Sequence, residues 1–502
     1  MTEALFYDEH IIQKKSGNGR RPDVVIVEIS RECQDDLYRS VSEKSLISRK
    51  GEAAMNQMKR TGMKFKVLFS SKMITTCVLT VLMGYVTVYA TNYMGLSAAS
   101  VGIAFMVSKI FDGFTDFMAG MLIDRTKTRL GQARPYDLAL IGYGAAVIFL
   151  FSAPNLSEHA GLVYLFIMYT MVNSVFSTLV SCNEAPYLSN AVEKSEDCVS
   201  VTSFGAIISL FATLIAAIII PQLISTMGTT KAGWSKLSFI IVIPSVLVGL
   251  IRFLTIREIR TTTQDTAVKA EQSGNSLENI KYFFKNKYIL LFGVILLLSN
   301  ICSNISNMNY YCIYILGDIG YASIFSLSVF SVIFALITMP KLSKNFGTMK
   351  VLMVCAIIGA LGYLIKLLGI TSIPIGFISA LLANLGFYPI WFMASEVIVD
   401  TMDYGEWRFG KRTPGILGCA TGIASKIGTA VGTGLLGVLM GLAGFDGLLE
   451  VQSQGAINMI VTLTTIVPSA ICVVIAILCK VYDLDKKLPM IREDLAKKAE
   501  EA

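Results

Sequence analysis

Charged side chains are scarce in this sequence of 502 residues, because Asp, Glu, Lys and Arg together make up only 16% of it. In soluble globular proteins, charged residues make up roughly a quarter of the sequence. Hydrophobic residues reach 54%, and they fall in blocks of about 18–28 residues, long enough for a helix to cross a bilayer. The composition excludes an ordinary soluble domain. Since lipid offers no partner to free backbone groups, the blocks predict helices.

Histidine is rarer still, and the two histidines, His10 and His159, leave little for histidine catalysis or metal binding. The ten cysteines contain no C-x-x-C pair, and most lie inside apolar blocks, where a thiol behaves as a small apolar side chain. The sequence therefore argues against a zinc site or a disulfide framework. No cleavable signal peptide is predicted, and the polar residues 1–65 are expected to stay in the cytoplasm.

The apolar blocks predict an all-α membrane protein with about twelve spans. The predicted spans are residues 67–91, 98–122, 137–154, 160–188, 201–225, 235–256, 287–315, 321–340, 350–369, 373–399, 416–443 and 456–480. Links after even-numbered spans carry most of the lysine and arginine, as in Lys341, Lys344 and Lys350. By the positive-inside rule both termini are predicted to be cytoplasmic, which agrees with an even number of spans. The expected location is the cell membrane.

A polar segment divides the spans into two halves. The predicted regions are an N-terminal region 1–65, a first half 66–256, a central cytoplasmic loop 257–284, a second half 285–480 and a tail 481–502. Two halves of about six helices around a central cavity are the architecture of the major facilitator class, with a substrate site near the midplane. Gly428, Gly432 and Gly434 predict close helix packing by the eleventh span.

The second span contains KIFDGFTDFMAG, in which Lys109, Asp112 and Asp116 share one helix face at i, i+3 and i+7. A charge at bilayer depth costs roughly 2.5–3.5 kcal/mol, so it normally meets a partner or a wet cavity. Two carboxylates one turn apart can bind a small cation or share a proton. The alternative is a structural Lys109–Asp112 pair, which leaves Asp116 unexplained.

Two more spans carry candidate site residues. Glu184, near the end of the fourth span, can accept hydrogen bonds from sugar hydroxyls, and Ser181 one turn earlier can complete a cation shell. The alternative for Glu184 is a solvated helix end. Lys426 lies well inside the eleventh span and could pair with a span-two aspartate or an anionic group of the substrate. Lys72, near the start of the first span, is interpreted as a lysine that reaches the membrane surface, outside the site.

The first basic link, GMLIDRTKTRLGQARP, combines Asp124, Arg125 and Arg129. Acids and bases at this spacing could form salt bridges between helices that break when the two halves move, so the link is a candidate gate. A basic loop that satisfies only the topology rule is the alternative.

Four stretches in order give the chain a resemblance to the glycoside–pentoside–hexuronide:cation symporter family, over about residues 66–480. They are DGFTD, GMLIDRTKTRLGQARPY, EAPYLSN and DTMDYGEWRFGKRTPG, with Lys426 downstream of the last. The resemblance implies cation-site carboxylates at Asp112 and Asp116, which would be the metal ligands if the ion is Na⁺. It also implies a hydroxyl ligand at Ser181, a sugar-binding acid at Glu184 and a coupling lysine at Lys426.

Other positions follow from the same resemblance. The family's cytoplasmic signature is matched by Asp400, Asp403 and Arg412, which are expected to act in gating. Thr76 lies where the family's melibiose carrier has a second sugar-binding aspartate, which weakens the case for a galactoside. We expect Thr115 beside the cation, and Thr76 and Lys109 beside the substrate.

The predicted function is symport of a sugar or sugar acid with Na⁺ or H⁺ by alternating access. We expect a monomer in the lipid bilayer that needs no cofactor besides its coupling ion and binds no nucleic acid. Three alternatives stay open: a lysolipid carrier on the same fold, a transporter-like sugar sensor that uses the N-terminal region, and a multi-pass membrane enzyme such as a glycosyl transferase.

Overall fold

The apolar blocks fold as helices in the computed structural model, which describes residues 62–126, 128, 130–192, 195–258, 286–409, 414–449 and 451–500. The chain divides into two units, Met1–Gly62 and Met63–Ala502, and the helices below belong to the second. Within the described ranges there is no β-strand, only an isolated bridge between Thr128 and Gly131. The prediction of an all-α protein is confirmed.

The first half contains spans 1 to 6. Its helices are Met63–Met83 and Val86–Asn92 (span 1), Ala98–Arg125 (span 2), Ala139–Phe151 after a 3₁₀ turn (span 3), Glu158–Thr170, Ser177–Cys182 and Glu184–Ala191 (span 4), Ser195–Met227 (span 5) and Lys231–Thr255 (span 6).

The second half contains spans 7 to 12 and a tail helix. Its helices are Lys287–Ile305 and Met308–Tyr314 (span 7), Tyr321–Ser326 and Phe330–Phe346 (span 8), Thr348–Ile365 (span 9), Ile373–Phe392 with the following helix Ala394–Phe409 (span 10 and its extension), Pro414–Leu442 (span 11), Gln454–Thr464 and Ile466–Val481 (span 12), and the tail helix Leu484–Glu500.

Eleven of the described helical segments are long and apolar enough to cross a membrane. Span 2 provides 28 residues and carries Lys109, Asp112 and Asp116 within its otherwise apolar sequence. Together these segments form the two-half bundle expected for the major facilitator fold.

Several spans predicted as continuous are broken. Span 4 stops at Cys182 and restarts at Glu184, because the ring of Pro186 clashes with the carbonyl group four residues earlier. Span 7 stops at Ile305 and restarts at Met308, where the Asn307 side chain caps the new helix. Such breaks are tolerated in membranes where neighbouring groups satisfy the freed backbone.

The two halves pack tightly near the membrane face that carries few basic residues, here called the neutral face. A Cβ atom added to Gly102 of span 2 would lie 2.7 Å from Cα of Gly437 in span 11. Thr91 of span 1 and Tyr310 of span 7 join their hydroxyl groups at 3.1 Å. Ser323 of span 8 donates to the carbonyl of Ile218 in span 5 at 2.7 Å. The neutral face is therefore sealed between the halves.

The halves diverge toward the opposite face, here called the basic face. Gly120 follows Gly102 by five helical turns and so lies on the same side of span 2. A Cβ atom at Gly120, at Gly113 or at Gly422 of span 11 would meet nothing within 4 Å. The space between the halves is thus open toward the basic face.

Packing by small residues in span 11 is confirmed. A Cβ atom at Gly428 would lie 2.5 Å from the carbonyl oxygen of Leu297, and one at Gly432 would lie 2.8 Å from that of Ile301. At Gly434 the nearest atom is the sulfur of Met106, at 2.8 Å. Because opposite sides of one helix touch span 7 and span 2, span 11 can approach both only through glycine.

Candidate functional site

A cavity of about 340 Å³ lies between spans 2, 4 and 11. Polar side chains from both halves of the molecule surround it. Its lining consists of Lys109, Asp112, Asp116, Asn173, Ser177, Thr178, Ser181, Cys182 and Lys426. A polar chamber inside an apolar bundle is the expected form of a midplane site in a transporter.

Asp116 and Lys426 form an ion pair across the two halves. Lys426 also donates to the backbone carbonyl of Asp112 at 3.1 Å, and Thr178 donates to the other carboxylate oxygen of Asp116 at 2.9 Å. The side chain of Asp116 is 42% exposed and that of Lys426 35%. This pair therefore faces the open cavity and is accessible to an incoming ion.

Asp112 lies one turn away and is more enclosed. Its carboxylate accepts hydrogen bonds from Lys109 at 2.9 Å and from Ser174, and the residue is only 8% exposed. Ser174 belongs to a π-helical turn, Met171–Phe176, inside span 4. The extra residue of a π turn shifts the side chains around it, and such turns are frequent at functional sites. Here the turn brings Ser174 to Asp112.

The charges of this cavity balance. Two lysines neutralise two carboxylates, one pair within span 2 and one pair between the halves. A small cation could take the place of the Lys426 ammonium at Asp116, with oxygen ligands from Thr178 and Ser181 nearby. The same geometry therefore accommodates both interpretations, a structural Lys109–Asp112 pair and an ion site at Asp116.

Thr115 does not join this cavity. Its hydroxyl donates to the carbonyls of Phe111 and Asp112 in its own helix, and the side chain lines a separate cleft with Met118 and Arg125. A residue directly before Asp116 is rotated by about 100° around the helix, which explains why it faces elsewhere. Thr115 thus lies outside the cavity lining, and its role as a cation ligand stays a prediction.

Glu184 lies in a buried ionic cluster beside the cavity. One of its carboxylate oxygens is shared by Lys72 and Arg252, and the other has no hydrogen-bond partner within the described chain. The break after Cys182 turns Glu184 away from Ser181, which lines the cavity without it. The predicted continuous face of Ser181 and Glu184 is thus interrupted, and Glu184 is an anchored side chain instead of a solvated helix end.

Lys72 requires a correction. The prediction placed it at the membrane surface, whereas its residue is only 3% exposed and its ammonium donates to Asn183 at 3.0 Å, to Glu184 and to the carbonyl of Val180. A buried ammonium must be paired and hydrogen-bonded, and these three oxygen atoms supply the partners. Lys72 thus connects span 1 to the break in span 4.

Arg252 of span 6 and Asp137 of span 3 complete the cluster, and sequence reasoning missed both. Each side chain is fully buried, and Arg252 Nε donates to Asp137 at 2.8 Å. The guanidinium also lies over the rings of Phe69 and Tyr187, at 4.8 and 4.6 Å. The available signal was a charge of each sign inside the predicted spans, Asp137 in span 3 and Arg252 in span 6.

Thr76 also stays apart from the cavity. Its hydroxyl donates to the carbonyl of Met73 at 2.9 Å within span 1, and it is absent from the cavity lining given above. A direct contact between Thr76 and a substrate in that cavity is not supported in this conformation. The melibiose-carrier position thus offers no acidic group here.

The candidate gate residues are only partly described. Arg129 and Arg412 lie outside the described residues, as does the side chain of Asp124. Arg125 is exposed beside the cleft of Thr115. A role of these residues in gating stays a prediction.

Asp400 and Asp403 bind Arg492 of the tail helix, at 2.8 and 2.9 Å. These pairs fasten the tail to the extension of span 10, within the second half, and so do not bridge the two halves. Burial raises the pKa of Asp400 to about 6, although the Arg492 guanidinium acts in the opposite direction. Asp400 and Asp403 therefore hold the tail helix against the extension of span 10, a contact that the sequence did not predict.

No group of three or more His, Cys, Asp or Glu that could hold a metal ion occurs among the described residues. A transition-metal centre would need such a group. An alkali ion at Asp112 and Asp116 would instead rely on hydroxyl and carbonyl oxygens besides the carboxylates.

The two-half helical bundle, sealed at one face and holding an ion-paired polar cavity, defines a membrane transporter of the major facilitator class. A family model described as MFS/sugar transport protein matches residues 69–486. The chain belongs to this family, which confirms the resemblance seen in the sequence. It is a multi-pass transporter and not an enzyme, and this excludes the glycosyl transferase alternative.

Curated relatives cover most of the chain. The isoprimeverose transporter of Lactiplantibacillus pentosus is 27% identical over 427 residues, which are 82% of this chain and 87% of the relative. The inner membrane symporter YicJ of Escherichia coli (strain K12) is 25% identical over 412 residues, 79% of this chain and 86% of the relative.

Solved structures share the fold. The nucleoside transporter NupG superposes with a TM-score of 0.61 at 17% identity and covers 84% of this chain and 100% of its own. A D-xylose-proton symporter gives a TM-score of 0.56 at 14% identity, with 83% and 97% covered. At such identities the likeness concerns the fold alone.

Proposed function

We propose that this protein is a cation-coupled symporter that carries a sugar, glycoside or sugar acid across the cell membrane by alternating access. The observation that carries the proposal is the ion pair between Asp116 of the first half and Lys426 of the second. Relatives named as an isoprimeverose transporter and a glucuronide carrier homologue support a sugar or sugar acid as the substrate class.

The coupling follows from the charge balance. A cation that binds at Asp116 and Asp112 releases Lys426, because the carboxylate cannot hold both positive groups at full strength. The freed ammonium then binds an anionic or hydroxyl group of the substrate, so each ligand favours the other. Such coupling typically amounts to about 1–3 kcal/mol, or roughly 5- to 150-fold in affinity.

Closure at the basic face completes the cycle. The space between the halves opens toward that face while the neutral face is sealed by the glycine contacts of spans 2 and 11. A symporter must reverse this arrangement, since a site open to both faces would leak. The positive-inside rule assigns the basic face to the cytoplasm, which makes this arrangement the inward-open state of the proposed cycle.

Transport in proteoliposomes under an imposed Na⁺ or pH gradient tests the proposal. The labelled panel contains a pentose disaccharide, a glucuronide, a galactoside and a lysophospholipid. We expect uphill uptake of a sugar or uronate with one of the gradients, and Asp116→Asn to abolish it. Asp483→Asn, at a half-buried acid after span 12 that is also paired with a lysine, is the matched control.

Each alternative has its own outcome. Uptake of the lysophospholipid alone would favour a lysolipid carrier. Sugar binding without flux, lost on deletion of residues 1–62, would favour a sensor. Uphill sugar uptake by Asp116→Asn at the wild-type level would refute the coupling role of Asp116.

A further inference from the structure

A groove of about 880 Å³ opens on the outer side of the second half. It lies between spans 8 and 9, which the single residue Gly347, at φ +89°, joins directly. Its walls are apolar side chains, including Phe334, Ile337, Leu342, Phe346, Val354 and Ile358. Ile337 is 66% exposed and Val354 50%. Such a surface at the depth of the hydrocarbon core contacts lipid chains.

Two lysines line the same groove at its end near Gly347. Lys341 belongs to the last turns of span 8 and Lys350 to the first turn of span 9, and both are exposed. Neither forms an ion pair with a described residue. The nearby carboxylate of Asp485 accepts a hydrogen bond from the Met349 amide at 2.7 Å. The carboxylate of Glu396 is also near, where it accepts hydrogen bonds from Ser343 at 2.8 Å and Thr348 at 3.1 Å. Neither carboxylate is part of the groove lining, which therefore carries two positive charges and no negative one.

We propose that this groove binds one anionic phospholipid, with an acyl chain along the apolar walls and the phosphate at Lys341 and Lys350. This goes beyond transport itself and does not depend on the identity of the substrate. An apolar trough that ends in two cations matches an amphiphile with one negative head. Clusters of basic residues at the cytoplasmic side of membrane helices are known to attract anionic lipids.

The headgroup must supply the selectivity. Lipid chains are as apolar as the groove, so filling it with a chain gains little over the surrounding bilayer. Each lysine near an anionic surface contributes about 5-fold in affinity, so two contribute roughly 25-fold. A zwitterionic lipid gains less, because its own ammonium group is repelled by both lysines. A net negative lipid is therefore preferred.

Native mass spectrometry of the full chain in detergent tests the proposal. The protein is titrated with phosphatidylglycerol or phosphatidylcholine that carry the same acyl chains. We expect tighter binding of phosphatidylglycerol, by up to roughly 25-fold, and the double variant Lys341→Gln/Lys350→Gln to lose most of that preference. Lys344→Gln is the matched control, because Lys344 is exposed in the last turn of span 8 but is not part of the lining.

If Lys344→Gln lost as much of the preference for phosphatidylglycerol as the double variant, the proposal would be overturned, since the lysines would then act only through general surface charge. So would competition by inorganic phosphate as effective as that of the lipid. A second variant tests the acyl chain: Val354→Trp fills the groove and leaves both lysines in place. We expect Val354→Trp to weaken the binding of phosphatidylglycerol at least 5-fold. Ile243→Trp, at an exposed position in span 6, should leave that binding unchanged. Unchanged binding by Val354→Trp would overturn the groove as the site.

Discussion

Removing the guanidinium of Arg252 should destabilise the first half strongly. Arg252 is fully buried and joins Asp137 of span 3 to Glu184 of span 4. In Arg252→Met, Glu184 keeps Lys72 as a partner, whereas the hydrogen bond left to Asp137 among the described residues comes from the Asn183 amide, at 3.0 Å. The cluster then changes from balanced to one negative charge in excess.

The expected loss follows from that unpaired carboxylate. Breaking a buried ion pair by removing one partner costs about 3–5 kcal/mol. The double variant Arg252→Met/Asp137→Asn restores the balance, since Lys72 and Glu184 still neutralise each other. We therefore expect it to recover about 1–3 kcal/mol of the loss, a coupling usual for groups in contact.

Thermal unfolding of the purified protein in detergent measures this order. Wild type should melt highest, the double variant next and Arg252→Met lowest. Arg408→Met, an exposed arginine on the span 10 extension, serves as the matched control and should melt close to wild type. The reasoning fails if Arg252→Met melts with the control, or if the double variant melts below the single one.

Three further predictions concern the site, the seal and the tail. Thr178→Val removes the 2.9 Å hydrogen bond to Asp116 and should change the cation concentration for half-maximal uptake by about 5- to 10-fold. Thr115→Val should leave that concentration unchanged. Equal effects of the two variants in a vesicle uptake titration would contradict the placement of Thr115. Gly102→Val should force spans 2 and 11 apart, so that a thiol probe labels a cysteine introduced at the neutral face. Gly120→Val, at a position where an added Cβ would meet nothing within 4 Å, should not increase that labelling. Labelling of Gly102→Val at the wild-type level would contradict the seal. Since the pKa of Asp400 is raised to about 6 from 3.8, the folded state holds its proton more tightly, so this residue's contribution to stability should fall as pH rises from about 4 to 6. Asp400→Asn should flatten that part of a melting-temperature profile, and a profile identical to wild type would contradict the raised pKa.

Local sequence patterns determined the spans and much of the polar cavity. Blocks of apolar residues fix helices because lipid leaves no alternative for the backbone. The i, i+4 spacing of Asp112 and Asp116 placed both carboxylates on one side of span 2. Lys426, isolated in an apolar span, pointed to a charged partner in another helix. These inferences needed only helix geometry and the cost of burying charge.

Contacts between distant segments were decided by the tertiary structure alone. Nothing local in span 1 distinguishes a lysine that reaches water from Lys72, whose partners lie 111 and 112 positions away along the chain. Arg252 and Asp137 meet across 115 positions, and Thr115 differs from Asp116 only by its rotation around the helix. Sequence spacing predicts which side chains share a helix face, but only the packing of one helix against another decides what that face meets.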